Sequence, residues 1–321
     1  MSDIFVPTFI SVFDGLLKIF IIAVLAGILA YRKIISEELI NGLSKLTVLI
    51  FLPMLIFHTV ITTFDPARQS YWWIIPLAAI ALSSFGLLLS ALLFAGSLKE
   101  KKGFLPLSSM QNAAYLVLPI GEFVDPDSFS EFSLICFLVI LGLSPFMWTV
   151  GKLILTGRNT GEKGRLAGIL TPPFVANILS VILVLSGTGK FIPDVITESA
   201  GFLGNATVPV ATFILGATLA RSIGSVPKFA DTARVMAVKF IVLPAAAIAV
   251  MKMAGTIHHY PLLADVMIIQ AASAPATAHI LQIRTYGGNL KAAGGIIFVA
   301  YLVCMFAIPF WLSVWKIVSM W

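Results

Sequence analysis

Two stretches of the chain combine proline with amide, hydroxyl and imidazole side chains inside otherwise apolar sequence. The first is SSMQNAAYLVLPIGEF (108–123), and the second is QAASAPATAHILQ (270–282). Proline has no backbone N–H and disturbs a helix, so both stretches are predicted to contain interrupted helices. An interruption frees backbone N–H groups, and the N-terminal end of a half-helix carries about half a positive charge. This chemistry suits a carboxylate or another small anion.

The two prolines and the residues around them are the candidate ligands of such an anion. They are Ser109, Gln111, Asn112, Tyr115 and Pro119 in the first stretch, and Gln270, Ser273, Pro275, Thr277 and His279 in the second. Polar side chains in membrane helices also join neighbouring helices, at about 0.6 kcal/mol each, and this structural interpretation stays open for all of them. Four further residues are candidates for the cavity wall or for ion coupling, namely His58, Glu122, Asn177 and Asn205.

The composition requires a lipid environment for much of the chain. Of its 321 residues, 59% are hydrophobic and only 11% are charged, whereas soluble domains carry roughly 25% charged residues. The net charge of +6 does not indicate nucleic-acid binding, because the basic residues lie in short loops between apolar runs and form no continuous stripe. The composition therefore predicts an all-α integral membrane protein.

Ten stretches approach the length of about 20 apolar residues that a membrane-spanning helix needs. They are residues 10–31, 43–63, 71–96, 104–123, 131–154, 167–187, 198–220, 233–254, 263–283 and 293–317. Lysine and arginine are concentrated in every second loop, whereas the intervening loops contain Asp125, Asp127 and Asp194. The positive-inside rule assigns the basic loops to the cytoplasm of a bacterial inner membrane, so both termini are predicted to lie outside, in the periplasm.

Proline positions also repeat between the two halves of the chain. Pro76 in IIPLAAIAL corresponds to Pro244 in VLPAAAIAV, and other proline pairs keep the same order. The predicted organisation is a five-helix repeat at 1–155, a cytoplasmic connection at 156–166 and a second repeat at 167–321. Because five is odd, the second repeat enters the membrane from the opposite side. Inverted repeats of this kind are typical of secondary transporters, which expose one site alternately to each side.

The chain resembles the auxin efflux carrier family, of the bile/arsenite/riboflavin transporter superfamily, along essentially its whole length. FLPMLIFH (51–58) is similar to the second helix of that family. Asn112 stands seven residues before Pro119, which is the family's spacing at its crossover, and APATAHILQIRTYGGNLKAAG (274–294) resembles its ninth and tenth helices. The short central connection is closest to the bacterial branch, which includes carriers of malonate and related acids.

The resemblance implies a crossover fold with broken fourth and ninth helices that cross at Pro119 and Pro275. Helices 1, 2, 6 and 7 would form a scaffold, often a homodimer, and helices 3–5 and 8–10 a mobile transport domain. The implied function is alternating-access transport, of an elevator or rocking type, of a small organic anion such as a malonate-like dicarboxylate. The chain departs from the family pattern at Ala114 and Val117, where glycines are frequent, and at His279, where asparagine is frequent. These departures leave the substrate open.

Catalysis and channel conduction are the alternatives to transport. An enzyme needs a nucleophile–base pair or a metal cluster, and the sequence contains no HExxH or GxSxG motif, so no enzyme is predicted. An anion channel or a transporter-like sensor stays the alternative, because channels also contain inverted repeats. No cofactor is expected beyond a coupled proton, for which His58, Glu122 and His279 are candidates, or a coupled sodium ion.

Overall fold

The structure is a computed structural model that describes residues 2–157, 170–221, 227–255 and 259–320. Helices account for the regular structure of these described residues, apart from one isolated β-bridge. The predicted connection at 156–166 lies largely outside the described residues.

The helices follow one another along the chain with short connections. They are α1 (Ser2–Tyr31), α2 (Glu37–Thr63), α3 (Ile74–Leu93), α4 (Leu105–Ser109), α5 (Val117–Val124), α6 (Phe129–Thr156), α7 (Pro172–Leu185), α8 (Asp194–Ala220), α9 (Phe229–Met253), α10 (Pro261–Ala272), α11 (Ala278–Tyr286) and α12 (Leu290–Val318). Seven of these described helices, namely α1, α2, α3, α6, α8, α9 and α12, are long and apolar enough to cross a membrane. The shorter helices α7 and α10 are also apolar. This is the helix content of a multi-pass membrane protein.

The predicted fourth and ninth spans are each divided into two helices. The fourth consists of α4 and α5, separated by residues 110–116, and the ninth consists of α10 and α11, separated by residues 273–277. The prediction located the first interruption at Pro119, and this was wrong, because Pro119 is the third residue of α5. A proline is tolerated in the first turn of a helix, since an N–H group there has no intrahelical partner to lose.

The helices pack in two groups. In the first group, α1 packs along α8, and α2 packs against α7 and α8. In the second group, α3 packs against α4 and α6, and α10 packs against α6, α9 and α12. The groups meet where α1 contacts α5 and α12, and where α2 and α7 contact α6.

Two glycines permit close approach of helices within these groups. A Cβ atom on Gly216 of α8 would lie only 2.0 Å from the carbonyl oxygen of Ala23 in α1. A Cβ atom on Gly142 of α6 would lie 2.2 Å from the carbonyl oxygen of Pro76 in α3. Small residues at such crossings are the usual basis of helix packing in membranes, where no water is expelled between helices.

One end of the molecule carries a concentration of lysine and arginine residues, and we name it the basic end. Arg221 after α8 pairs with Glu37 at the start of α2, at 3.1 Å. Lys101, before α4, pairs with Asp231 at the start of α9. These contacts join the loop between α1 and α2 to the end of α8, and the loop before α4 to the start of α9. The basic end also includes Arg32, Lys33, Lys99, Lys102, Lys228, Arg284 and Lys291.

Candidate functional site

The two interrupted segments cross each other inside the protein. Gln111 and Pro275 form an isolated antiparallel bridge, and the backbone N–H of Asn112 donates to the carbonyl oxygen of Ala274 at 3.1 Å. Met110 and Ala274 at this point are fully buried. Non-helical backbone at membrane depth is tolerated only where protein or a wet cavity surrounds it, and both conditions are met here.

Asn112 holds the first segment in its interrupted conformation. Its Oδ1 accepts a hydrogen bond from the backbone N–H of Tyr115 at 3.1 Å, and its Nδ2 donates to Oη of Tyr301 at 2.5 Å. Its carbonyl oxygen accepts from the N–H of Val117, the first residue of α5, at 3.3 Å. Asparagine favours such local bonds because its side chain competes with the backbone for N–H groups. Asn112 therefore connects the crossing to the start of α5 and to α12.

A cavity of about 200 Å³ lies against one side of the crossing. Its lining residues are Val48, Leu52, Gln111, Asn112, Ala113, Ala114, Tyr115, Ile140, Leu143, Ser144, Met147, Trp148, Thr171, Pro173, Ala276, Thr277 and Ala278. The contributions of α2, α6 and α7 come from the halves of these helices nearest the basic end. The cavity therefore lies between the crossing and the basic end.

Several hydrogen-bond donors at this cavity have no partner among the described residues. They include the backbone N–H groups of Ala113, Ala114, Thr277 and Ala278, which precede or begin α5 and α11. Nε2 of Gln111 is buried and also lacks a described partner, whereas its Oε1 accepts from Oγ of Ser83 at 3.2 Å. The lining residues described for this cavity include no lysine, arginine, aspartate or glutamate. An anion in the cavity would therefore be held by these N–H groups and by the N-terminal end of α11, and not by a charged side chain.

The structure brings only part of the predicted set to this cavity. Gln111, Asn112, Tyr115 and Thr277 line it, and Pro275 forms the bridge behind it. Ser109 and Ser273 instead bond to backbone carbonyls of their own segments, at 3.0 and 2.8 Å. Pro119 is buried within α5 and does not line the cavity.

The remaining predicted residues of the second stretch lie on the opposite side of the crossing. His279 donates from Nδ1 to Oε1 of Gln282 at 3.0 Å, and Nε2 of Gln282 donates to the carbonyl oxygen of Met147 at 2.9 Å. Gln270 makes a long contact of 3.6 Å with Sγ of Cys136. Nε2 of His279 and Nζ of the fully buried Lys239 have no described hydrogen-bond partner. Through Gln270 and Gln282 these groups join α10 and α11 to α6 in the protein interior.

The four additional candidates do not line the cavity. His58 donates from Nδ1 to the carbonyl oxygen of Thr197 at 2.7 Å and fixes α2 to α8. Asn177 donates to the carbonyl oxygen of Phe137 at 2.5 Å and joins α7 to α6. Glu122 and Asn205 are exposed, the first near the end of α5 and the second at an interruption of α8.

Sequence reasoning missed several residues of the site. Tyr301 bonds to Asn112 from α12, and Trp148 and Thr171 line the cavity from α6 and the start of α7. Ser144 also lines the cavity, and it stands next to Pro145 within α6. The rule that identified Asn112, a polar residue near a mid-span proline, would have identified Ser144. No signal in the sequence distinguishes Tyr301 or Trp148 from other membrane aromatics.

Comparisons with known proteins identify the family of the chain. A relative from Methanocaldococcus jannaschii, the uncharacterized transporter MJ1031, is 25% identical over 286 residues, which cover 87% of this chain and 90% of the relative. The profile of the family described as membrane transport protein matches twice, at residues 11–165 and again at residues 158–312. Together these matches span nearly the whole chain, and both comparisons point to transport and not to catalysis. The chain therefore belongs to the membrane transport protein family, which is the family of the auxin efflux carriers.

Proposed function

We propose that this protein is a secondary carrier that moves a small organic anion across the membrane, with a malonate-like dicarboxylate as the leading substrate. The observation that supports this proposal most directly is the crossing of two interrupted segments beside a cavity. Residues with unpaired backbone N–H groups, in the link before α5 and at the start of α11, line that cavity. Half-helix ends of this kind hold the anionic groups of substrates in other transporters.

The size and polarity of the cavity favour a small substrate with two acidic groups. Its volume of about 200 Å³ is below that of pockets for drug-sized ligands, which hold roughly 300–1,000 Å³. The link at Ala113 and Ala114 and the start of α11 each bring unpaired N–H groups to it, so each can interact with one carboxylate of a dicarboxylate. Trp148, Leu52 and Met147 supply an apolar wall against the carbon chain between the carboxylates.

Transport would proceed by alternating access, of an elevator or rocking type, in a fold of ten spans with two inverted repeats. The two consecutive family matches support a duplicated organisation, and the interrupted spans occupy corresponding places in the two halves. The group of α1, α2, α7 and α8 is the proposed scaffold and homodimer interface. The second packing group, which contains the crossing, is the proposed mobile domain. The basic end is assigned to the cytoplasm of a bacterial inner membrane, with both termini outside.

A coupled proton or sodium ion belongs to the same proposal. Of the three proton candidates, His58 is held by a scaffold carbonyl and Glu122 is exposed away from the cavity. His279 lies in α11, two residues beyond the cavity-lining Thr277, and its Nε2 has no described partner. None of the three proton candidates lines the cavity, and His279 is the one that lies nearest to it along the chain.

Counterflow in proteoliposomes tests the proposal. Vesicles with purified protein are preloaded with unlabelled mono- or dicarboxylates, and uptake of the labelled acid is measured together with membrane current. We expect saturable counterflow that is fastest with a small dicarboxylate and is lost in Asn112→Ala. Asn177→Ala is the matched control, because Asn177 is equally buried but lies away from the cavity. Uncoupled current without counterflow would instead identify an anion channel, and substrate binding without flux would identify a sensor.

A further inference from the structure

A second and larger cavity opens on the outer surface of the helix bundle. It measures about 520 Å³ and lies between α1, α8 and α12. Its side walls include Ile28 of α1 and Leu302 of α12, which are about half exposed, and its lining is almost entirely apolar. We name this cavity the lateral groove. Its walls are continuous with the apolar surface of α1, which faces the bilayer in a membrane protein.

Small residues make the lateral groove deep. Ala23, Gly27, Gly216 and Ala220 form part of its floor, where α1 and α8 approach closely. A Cβ atom on Gly216 would lie 2.0 Å from the carbonyl oxygen of Ala23, so this floor has no room for a side chain at Gly216. The other part of the floor is Tyr301, which is only 1% exposed and binds Asn112 of the crossing. The groove is therefore closed toward the substrate cavity and open toward lipid.

The length of the lateral groove corresponds to one leaflet of a bilayer. It extends along α1 from Phe20 to Arg32, and twelve residues of helix rise about 18 Å. The hydrocarbon core of a bilayer is about 30 Å thick, so one leaflet contributes about 15 Å. An extended acyl chain in one leaflet thus has the length of the groove.

Charge is confined to one end of the lateral groove. Arg32 stands at its mouth, at the basic end, and Tyr31 beside it is 70% exposed. No ion pair within the described ranges involves Arg32. The guanidinium group matches phosphate geometry, and exposed tyrosine is typical of the membrane–water interface. An apolar channel of one leaflet's length, with a free guanidinium at its headgroup end, has the chemistry of a phospholipid site.

We propose that the lateral groove binds an anionic phospholipid, with one acyl chain between α1, α8 and α12 and the headgroup phosphate on Arg32. A chain in this position contacts both packing groups, because α1 and α8 belong to one and α12 to the other. The bound lipid would hold α12 against α1 and α8. Basic pockets between membrane helices are a general form of site for anionic lipids.

The experiment measures lipid bound to purified wild-type protein and to two variants with matched controls. The protein is delipidated in detergent and titrated with dioleoyl phosphatidylglycerol or dioleoyl phosphatidylcholine, and bound lipid is counted by native mass spectrometry. Ile28→Trp fills the groove, and Leu25→Trp is its control on the same helix, where Leu25 is 56% exposed outside the groove. Arg32→Gln removes the charge at the mouth, and Lys33→Gln removes the adjacent charge that does not line the groove.

We expect one phosphatidylglycerol molecule to bind wild type and both controls with about tenfold preference over phosphatidylcholine, the scale of a charge-assisted hydrogen bond. Ile28→Trp should lose this site, and Arg32→Gln should lose the preference while retaining weak binding of either lipid. Elution volume and melting temperature without added lipid verify that each variant is folded. Equal retention of phosphatidylglycerol by Ile28→Trp and Leu25→Trp would overturn the proposal. Equal binding of the two lipids by wild type, or a dimer that Ile28→Trp alone dissociates, would also overturn it.

Discussion

The two sides of the crossing differ in what their polar groups contact. On the cavity side, Gln111, Asn112 and Thr277 stand beside unpaired backbone N–H groups. On the interior side, His279 and Gln282 are fully buried and bond to each other and to a carbonyl of α6. Polar residues on the two sides of the crossing therefore have different roles. The cavity side is available to a ligand, whereas the interior side holds the interrupted helices in place.

The largest loss of transport is expected when a bulky side chain fills the cavity. In Thr277→Trp the indole ring occupies a cavity of about 200 Å³, and counterflow should fall by at least about 100-fold, the scale of a misplaced substrate. Ile280→Trp is the control, since Ile280 is half-buried in the same helix and does not line the cavity. Initial rates of labelled-acid uptake in proteoliposomes decide the outcome. Equal rates for the two variants would place the substrate elsewhere.

A smaller effect is expected from the link between the crossing and α12. Tyr301→Phe removes the acceptor of the Asn112 side chain and the longer bond that Oη donates to the carbonyl oxygen of Pro275 at 3.4 Å, while the ring stays in place, and transport should fall about tenfold. Asn112→Ala and the double variant complete a mutant cycle, in which the free energy of unfolding is measured because counterflow is already lost in Asn112→Ala. Because the two residues share one bond, the loss of stability in the double variant should be smaller than the sum of the two single losses. Additive losses would mean that Tyr301 acts independently of Asn112.

Substitutions on the interior side should change the stability of the protein and not its transport rate. Gln282→Leu removes the acceptor of His279 and the bond to the carbonyl oxygen of Met147, so the free energy of unfolding should fall by about 1–3 kcal/mol. Gln270→Leu is the comparison, and its loss should be smaller because Gln270 makes only a long contact to sulfur. Thermal unfolding and transport per folded molecule are measured together. A loss of transport in Gln282→Leu at unchanged stability would contradict the division between the two sides.

The smallest effect is expected at Lys239, where a substitution should raise the stability of the protein and not lower it. This side chain is fully buried and its Nζ has no partner among the described residues. Lys239→Met removes a buried polar group that has no described partner, and it retains most of the apolar volume of the side chain. The free energy of unfolding should therefore rise by about 1 kcal/mol, and the melting temperature should rise with it. The measurement is thermal unfolding in detergent. A lower melting temperature would reveal that the ammonium group has a stabilising contact in the interior.

Particular residues show how far the sequence predicted the site. Asn112 was identified because its amide lies close to a proline within an apolar run, and both properties can be read locally. Thr277 and His279 had the same local signature, yet only Thr277 faces the cavity. Residues two positions apart in a helix are separated by about 200° around its axis, so they face opposite sides. The sequence does not state which of these sides faces the cavity. The crossing was wrongly predicted at Pro119, because a proline indicates that an interruption is near and does not identify the residue at which the two segments cross.

The sequence by itself determined that the chain is a helical membrane protein of the membrane transport protein family, with interruptions in two polar spans. Apolar run length, proline content and motif order are properties of neighbouring residues, so they can be read without knowledge of the fold. Only the tertiary structure decided that Asn112 binds Tyr301, which is 189 positions away in the chain. It also decided that Gln111 pairs with Pro275 and that α1, α8 and α12 leave a groove between them. These contacts join helices that are distant in the sequence, and their partners are chosen by packing.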